Sequence, residues 1–395
     1  MPSSLLCLAA IQMTSANGRV AENLARAGHW AELAAQQDAN LVLLPELFSI
    51  GFEINANAWR SADHQGGPTE RWLSDAAQRH GFYIGGTYLE RRGGDFFNTF
   101  VLAGPTGIAG RVRKRHPCSV EAHIFKGGDD AHVIETPLGR IGVAICYDGS
   151  LREVWDRLLA DAPDLVLIPM SAPTPVKTLL YNQRKIEAFH ASFCDGATQT
   201  ARLLGIPCAM SNKWGKWDTT LPGLIPPLLL GHQRSSFPGF THVADSNGQE
   251  LARVAEGEGV AVATVHLDPE LKHLSLPLER DRFRPWISEV PAEYRFFGVF
   301  ESLGRRWYAK ERRKSRQMVL LDVVERLLRP RSGPTISGVN RRVCDRLPTV
   351  RHRHFTRPWP PRRCRPCAAP PRRDGEWSRA PAATDPPARC ADRGG

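Results

Sequence analysis

The sequence predicts an α/β protein with a mixed sheet buried beneath helices, and three observations carry that expectation. Short apolar stretches alternate with stretches of helical period through residues 5–265. Several of the strand-like stretches are apolar on both sides, as in a sheet that is covered on both faces. Hairpin-like turn signals also join neighbouring strands, which a purely parallel sheet would not have.

Taken in order, Leu5–Met13 reads as a buried strand, Val20–Gln37 as a helix and Leu41–Leu44 as a second, wholly apolar strand. Thr69–His80 is a helix opened by the turn Gly66-Gly67-Pro68. Phe82–Leu89 and Phe96–Ala103 are strands, closed by Gly104-Pro105-Thr106-Gly107. His132–Glu135 and Arg140–Cys146 flank the turn Thr136-Pro137-Leu138-Gly139. A helix over Leu151–Ala160, a strand over Leu165–Ile168 and a long helical zone over Val176–Leu204 follow. Strands at Ile206–Ser211, Phe240–Asp245, Glu250–Ala255 and Val260–Val265 complete the body. The segment 301–329 starts basic and turns amphipathic, which reads as a helix packed on the body or on a partner subunit, with a membrane-surface helix as the alternative.

These boundaries divide the chain into a main domain, 1–290, a helical extension, 291–330, and a tail, 331–395. The tail holds 15 Arg, five acidic residues and 11 of the 31 prolines, a net charge of +10 out of +11 for the whole chain. The body is therefore nearly neutral, and charge alone does not make this chain a nucleic-acid binder. The tail has no sustained strand or helix period, so it reads as irregular or disordered. A basic arm that touches nucleic acid or an anionic membrane is the alternative. A metal site at Cys364 and Cys367 with His352 and His354 is a weaker one, because a single Cys-x-x-Cys pair lacks its second half. A fragment 1–330 is expected to keep any catalysis.

Several function classes drop out. No Gly-x-Gly-x-x-Gly follows a strand, and Gly81-x-x-x-Gly85-Gly86 lacks the Lys-Ser/Thr ending of a phosphate loop. The five cysteines of the body, Cys7, Cys118, Cys146, Cys194 and Cys208, are odd in number and irregularly spaced, which favours reduced thiols. Nothing basic precedes the apolar start Leu5–Ala10, and no apolar run is long enough to span a membrane. The expected address is the cytoplasm.

Three places carry chemistry. In Leu41-Val-Leu-Leu-Pro45-Glu46-Leu-Phe48 an apolar strand runs straight into a carboxylate, which is costly there unless it is salt-bridged or serves as a general base. In Gly110-Arg-Val-Arg-Lys114-Arg-His116 basic residues crowd a strand end. This is either a solvated charge run or the source of one lysine turned inward to stabilise an oxyanion. In Ile141-Gly-Val-Ala-Ile-Cys146-Tyr147-Asp148-Gly-Ser150 a cysteine stands between a strand and a helix. It is either core or a nucleophile on a sharp turn, next to free backbone N–H groups.

In order and spacing, Pro45-Glu46, Lys114 with His116, and Ile145-Cys146-Tyr147-Asp148 resemble the Glu-Lys-Cys signature of the nitrilase-like carbon–nitrogen hydrolases. Glu121 falls where that family often has a second glutamate, and Gly127-Gly128-Asp129 resembles its Gly-Asp turn. The likeness continues through Asn212-Lys213-Trp214-Gly215, Asp245-Ser-Asn-Gly248 and Glu258-Gly-Val260 to Leu267-Asp268-Pro269, covering roughly residues 4–275.

The resemblance implies a four-layer α-β-β-α sandwich, pairing of chains through helices into a homodimer or larger homo-oligomer, and no metal or organic cofactor. It implies that Cys146 is the nucleophile, Glu46 the general base and acid, and Lys114 with the Tyr147 N–H the oxyanion site, with Glu121 positioning Lys114 or the substrate. Phe52, Trp214 and Trp217 are candidate pocket residues. Cys-Tyr-Asp in place of the nitrilases' Cys-Trp-Glu points to linear amides or N-carbamoyl compounds. A nitrile substrate, transfer of the acyl group to another acceptor, and a non-catalytic homodimeric scaffold are the alternatives. Two departures set this chain apart. Leu151-Arg152-Glu153 stands where many members have a Pro-Glu element, and Ala197-Thr-Gln-Thr-Ala-Arg202 replaces the usual Arg-Ala-x-Glu-Asn.

Overall fold

The computed structural model describes residues 4–177, 182–221, 231–273, 275–276, 282–283 and 294–328. Met1–Val323 form one compact unit, and of the second, Val324–Gly395, only the helical residues 324–328 are described. The expectations for the tail, and most of the apolar stretch 222–231, therefore lie outside the described residues.

Strand β1 (Ser4–Gln12), helix α1 (Val20–Ala35), β2 (Leu41–Leu43), α2 (Pro68–His80), β3 (Tyr83–Arg92), β4 (Asp95–Gly104) and β5 (Gly107–Arg113) make the first half. The second half contains β6 (Val133–Thr136), β7 (Gly139–Val143), α3 (Arg152–Ala160), β8 (Leu165–Pro169), α4 (Gln183–Ala191), α5 (Gly196–Leu204) and β9 (Cys208–Ser211). A hairpin, β10 (Trp214–Thr220) and β11 (His232–Pro238), precedes β12 (His242–Ala244), β13 (Glu250–Arg253) and β14 (Gly259–Leu267). Helix α6 (Tyr294–Leu328) closes the described chain and starts seven residues before the expected 301.

Two six-stranded mixed sheets result, in the orders β14-β1-β2-β3-β4-β5 and β13-β12-β9-β8-β7-β6. The last strand returns antiparallel to the first, Ser4 opposite Leu267 and Gln12 opposite Gly259. Side-chain alternation builds the layers. Leu8, Leu41, Leu43 and Phe100 of the first sheet meet Ile141, Val143, Leu167 and Ala209 of the second. The intervening residues Ala9, Val42 and Val101 face α1 and α2. Ala144, Val166 and Met210 face α3 and α5. Strands buried on both faces are what the apolar runs predict, and the result is the four-layer α-β-β-α sandwich.

Local signals set the ends of elements. Pro68 opens α2 without losing a needed donor, and Gly81 closes it in the left-handed region at φ 73°. The single helical zone expected over Val176–Leu204 is instead α4 and α5 with a break between them. The dipeptide Asp195-Gly196 at that break is the turn signal that a continuous helix would have had to override. Trp214–Thr220, which is not among the expected strands, is strand β10.

Candidate active site

The site forms where one strand of each sheet stops. Beyond β2, Glu46 is fully buried, and its N–H donates to the Met170 carbonyl at 3.1 Å. The next residue, Leu47, lies in the left-handed region at φ 49°. Its N–H donates to Thr87 Oγ1 at 2.6 Å, and its carbonyl accepts from Lys213 Nζ at 3.1 Å. Beyond β7, Cys146 has φ 50° and opens a 3-10 turn, Cys146–Ser150, that leads into α3. Glu153, in the first turn of α3, accepts from Arg115 Nε at 2.9 Å.

Lys114 follows β5 and is wholly buried. Its Nζ donates to Glu46 Oε1 at 2.8 Å and to Glu121 Oε2 at 2.7 Å. Burial opposes the ammonium, but the Glu121 and Glu46 carboxylates outweigh it and hold Lys114 well above the usual lysine range. Glu121 sits in the 3-10 turn Ser119–His123, and its Oε2 also accepts the Cys118 N–H at 2.6 Å. Burial raises its carboxyl to about 7, against the pull of Lys114. Asn98 donates from Nδ2 to Glu46 Oε1 at 2.7 Å, and its main-chain carbonyl accepts the Lys114 N–H at 2.8 Å, so one residue holds both the base and the lysine segment. Oε2 of Glu46 has no hydrogen-bond partner among the described residues.

Cys146 is held in a dry place. Burial, and then the charge of Glu46, push its thiol well above the ordinary range, while Lys114 and the Ser171 N–H pull the other way. Asp148 is buried two residues on, and its oxygens accept the N–H groups of Arg115 and His116, both at 2.8 Å. The cysteine turn and the lysine segment are thereby tied to each other. Gly127 and Gly128 lie against that segment, where a Cβ would collide with the Arg115 carbonyl or the Arg113 side chain.

A cavity of about 220 Å³ opens over this cluster, with Cys146, Glu121, Tyr147 and Phe52 among its walls. Glu46 and Lys114 lie behind its floor, fully buried. The expected site residues thus come together, with one exception. Trp214 is not part of the cavity wall; Trp217 is. The reason is the strand period. In β10, residues 215, 217 and 219 share one face, while Trp214 lies on the other with the exposed Lys216 and Asp218. Trp217 is fixed by donation from Nε1 to the Phe52 carbonyl at 2.9 Å.

Asn98, Ser171 and Cys118 join the site without being expected there, and Asp148 and Lys213, quoted only as parts of motifs, turn out to brace it. A polar Asn inside the apolar strand Phe96–Ala103 was a readable signal. Other landmarks serve the fold. Asn212 Oδ1 accepts from the Ala172 N–H at 3.1 Å, and Glu258 Oε1 accepts from Thr14 Oγ1 at 2.6 Å. Asp245 Oδ1 accepts the N–H groups of Asn247 and Gln249 at 3.0 and 2.8 Å. Among the described residues no cluster of three metal-ligating side chains occurs, and no helix is long and apolar enough to cross a membrane.

Residues 7–269 match the family described as carbon–nitrogen hydrolase. The chain belongs to the carbon–nitrogen hydrolases. Among its curated relatives, a nitrilase from Pyrococcus abyssi is 32% identical over 158 residues, 39% of this chain and 60% of the relative. An omega-amidase from Xenopus tropicalis is 36% identical over 138 residues, 32% of this chain and 50% of the relative. The chain thus spans about half to three fifths of the length of these two relatives. A carbon–nitrogen hydrolase superfamily protein from Xanthomonas campestris, solved with an arsenic adduct in its active site, shares the fold with a TM-score of 0.54. It is 24% identical to this chain, covering 66% of it and 90% of the solved chain.

Proposed function

We propose that this carbon–nitrogen hydrolase cleaves a non-peptide C–N bond of a linear amide or N-carbamoyl compound through a thioester on Cys146. One observation carries the reading: a thiol at the floor of an apolar cavity lies beside a buried carboxylate whose second oxygen, Glu46 Oε2, is uncommitted. Burial keeps the resting thiol protonated, so its proton must leave during the attack, and a nearby carboxylate is the group that can take it.

In the proposed sequence, Cys146 Sγ attacks the carbonyl carbon while Glu46 receives the thiol proton. Lys114 and the Tyr147 N–H stabilise the negative oxygen of the tetrahedral intermediate. The C–N bond breaks as Glu46 delivers the proton to nitrogen, and ammonia or an amine departs. Glu46 then takes a proton from water as that water attacks the thioester, the C–S bond breaks, and the proton returns to sulfur. Glu121 and Asn98 are positioning residues for Lys114 and Glu46. The role of Glu121 is supported by its 2.7 Å contact with Nζ.

A nitrile substrate is the second reading, and the nitrilase among the relatives favours it. The experiment is ammonia release by the purified chain from aliphatic amides, aryl amides, N-carbamoyl amino acids and nitriles, with Cys146→Ala in parallel. Cysteine-dependent release from an amide or carbamoyl compound is expected. Release from nitriles alone would replace the reading, and equal release by the variant would remove it.

A further inference from the structure

The walls of the cavity say more about the substrate than the catalytic floor does. One side is a cluster of aromatic rings. Tyr147 meets Tyr294 edge-on with centroids 5.6 Å apart and Phe297 at 5.5 Å, and Tyr294 and Phe297 lie 4.7 Å from each other. Phe189 of α4 packs against the same cluster, and it lines the cavity with Phe193, edge-to-face to it at 5.2 Å, and Met210. Among the described residues that line the cavity, the only charged side chain is Glu121, which is already bonded to Lys114 and the Cys118 N–H. No lysine, arginine or histidine lines it among those residues. Arg282, the neighbouring cation, is exposed and stacks its guanidinium on Phe283, 5.9 Å from the ring centroid.

Tyr294 and Phe297 stand in the first turns of α6, outside the residues 7–269 that match the family. Helix α6 is anchored there. Tyr308 Oη accepts the Phe96 N–H at 2.9 Å, and Tyr308 packs edge-on to Trp59 at 5.8 Å. Gly304 packs on the 3-10 turn Ser119–His123, where an added Cβ would lie 2.9 Å from Ala122, and the Trp307 ring lies 5.5 Å from that of His123. The helix is therefore fixed to the same 3-10 turn that carries Glu121. In addition, Tyr147 Oη is buried and has no hydrogen-bond partner among the described residues, and Ser119, Ser150 and Ser171 add hydroxyls to the lining.

We infer that the first turns of α6 form the acyl-side wall of the active site and select amides whose acyl group is neutral and aromatic. This rests on the amide-hydrolase reading above and specifies its substrate class. A cavity of about 220 Å³ has room for an aryl ring, since a dry apolar cavity of roughly 150 Å³ holds a benzene molecule. An aryl group gains edge-to-face contacts with Tyr147, Tyr294 and Phe297. A carboxylate on the acyl chain would lose its hydration against these rings, with no cation among the described lining residues to receive it.

The test compares kcat/KM for ammonia release from phenylacetamide, a neutral aryl amide, and from succinamate, a linear amide that ends in a carboxylate. The wild-type chain is expected to favour phenylacetamide by at least about 100-fold. Phe297→Leu and Tyr294→Ala, each checked for native circular dichroism, are expected to lower kcat/KM on phenylacetamide about tenfold, chiefly through KM. Phe297→Leu keeps an apolar filling, so a lost ring can be told from a lost fold. Equal or better turnover of succinamate would overturn the substrate inference and leave the hydrolase reading standing. A preference for phenylacetamide untouched by both variants would overturn the role of α6. No ammonia from either amide would overturn this inference, whereas the reading beneath it falls only if no amide or N-carbamoyl compound of the wider panel releases ammonia.

Discussion

The two strand ends that meet at the site use the same backbone device and hold it by different means. Leu47, after Glu46, and Cys146 both occupy the left-handed region, at φ 49° and 50°. A non-glycine residue there costs on the order of 1 kcal/mol and persists only where its surroundings over-determine it. The end of β2 is held from outside, by Thr87 on the Leu47 N–H and Lys213 on its carbonyl. The end of β7 is held by its own 3-10 turn and by Asp148, which reaches across to the segment that bears Lys114. The first arrangement seals a carboxylate behind the cavity floor. The second presents a thiol in the cavity wall, where a substrate can reach it. In the proposed chemistry the base is thus a fixed, water-excluded group, and the nucleophile is a half-buried group that lines the cavity.

The changes that would break this comparison fall in a clear order. Cys146→Ala and Glu46→Gln should each lower kcat by at least about 10⁴-fold while the chain stays folded, as measured by ammonia release and circular dichroism. Asp148→Asn should come next, because an amide cannot accept both N–H groups. A loss of about 2 kcal/mol in urea unfolding, with a fall of roughly tenfold or more in kcat/KM, is expected. Unchanged kinetics would mean that the link between thiol turn and lysine segment does not matter to function. Thr87→Ala leaves the buried Leu47 N–H unpaired, at a cost of about 1–2 kcal/mol. It should lower kcat severalfold, less than Asp148→Asn does, since it disturbs only the Glu46 side.

The smallest effect sharpens the comparison through pH. Burial pushes the Lys213 ammonium down to about 7, with Glu46 acting in the opposite direction. An unfolded lysine keeps its proton to roughly pH 10.4. Between about pH 7 and 10 the unfolded chain therefore binds more protons than the folded one at this site, and folding gains stability as pH rises through that window. Lys213→Met lacks this titration. The urea-midpoint difference between wild type and variant should move in favour of wild type from pH 7 to pH 9. A flat difference would mean that Lys213 keeps its charge in the fold.

Much of this was legible in the sequence because the signals were local. Apolar runs such as Leu41–Leu44 mark strands buried on both faces, and Pro68 and Gly81 bound a helix. Glu46, Lys114 and Cys146 stood out because each follows a strand with chemistry out of keeping with it, and Glu121 was reached only through the family resemblance. What was not legible depends on distant partners or on strand phase. Trp214 and Trp217 differ only in which face of β10 they occupy, and that phase is set by pairing with β11. Asp148 looks like part of the cysteine motif, but its function lies with backbone groups of residues 115 and 116. Tyr294 and Phe297 become cavity wall only because Tyr308 and Gly304 hold α6 against residues about 200 positions earlier in the chain.

The most direct test of the central claim is intact-mass analysis of the chain acid-quenched during turnover of phenylacetamide. The account predicts a fraction of protein carrying one phenylacetyl group, lost on treatment with hydroxylamine, mapped to Cys146 and absent from Cys146→Ala. Turnover with no acyl adduct on Cys146 in the quenched wild type, or an adduct that persists in the variant, would contradict it.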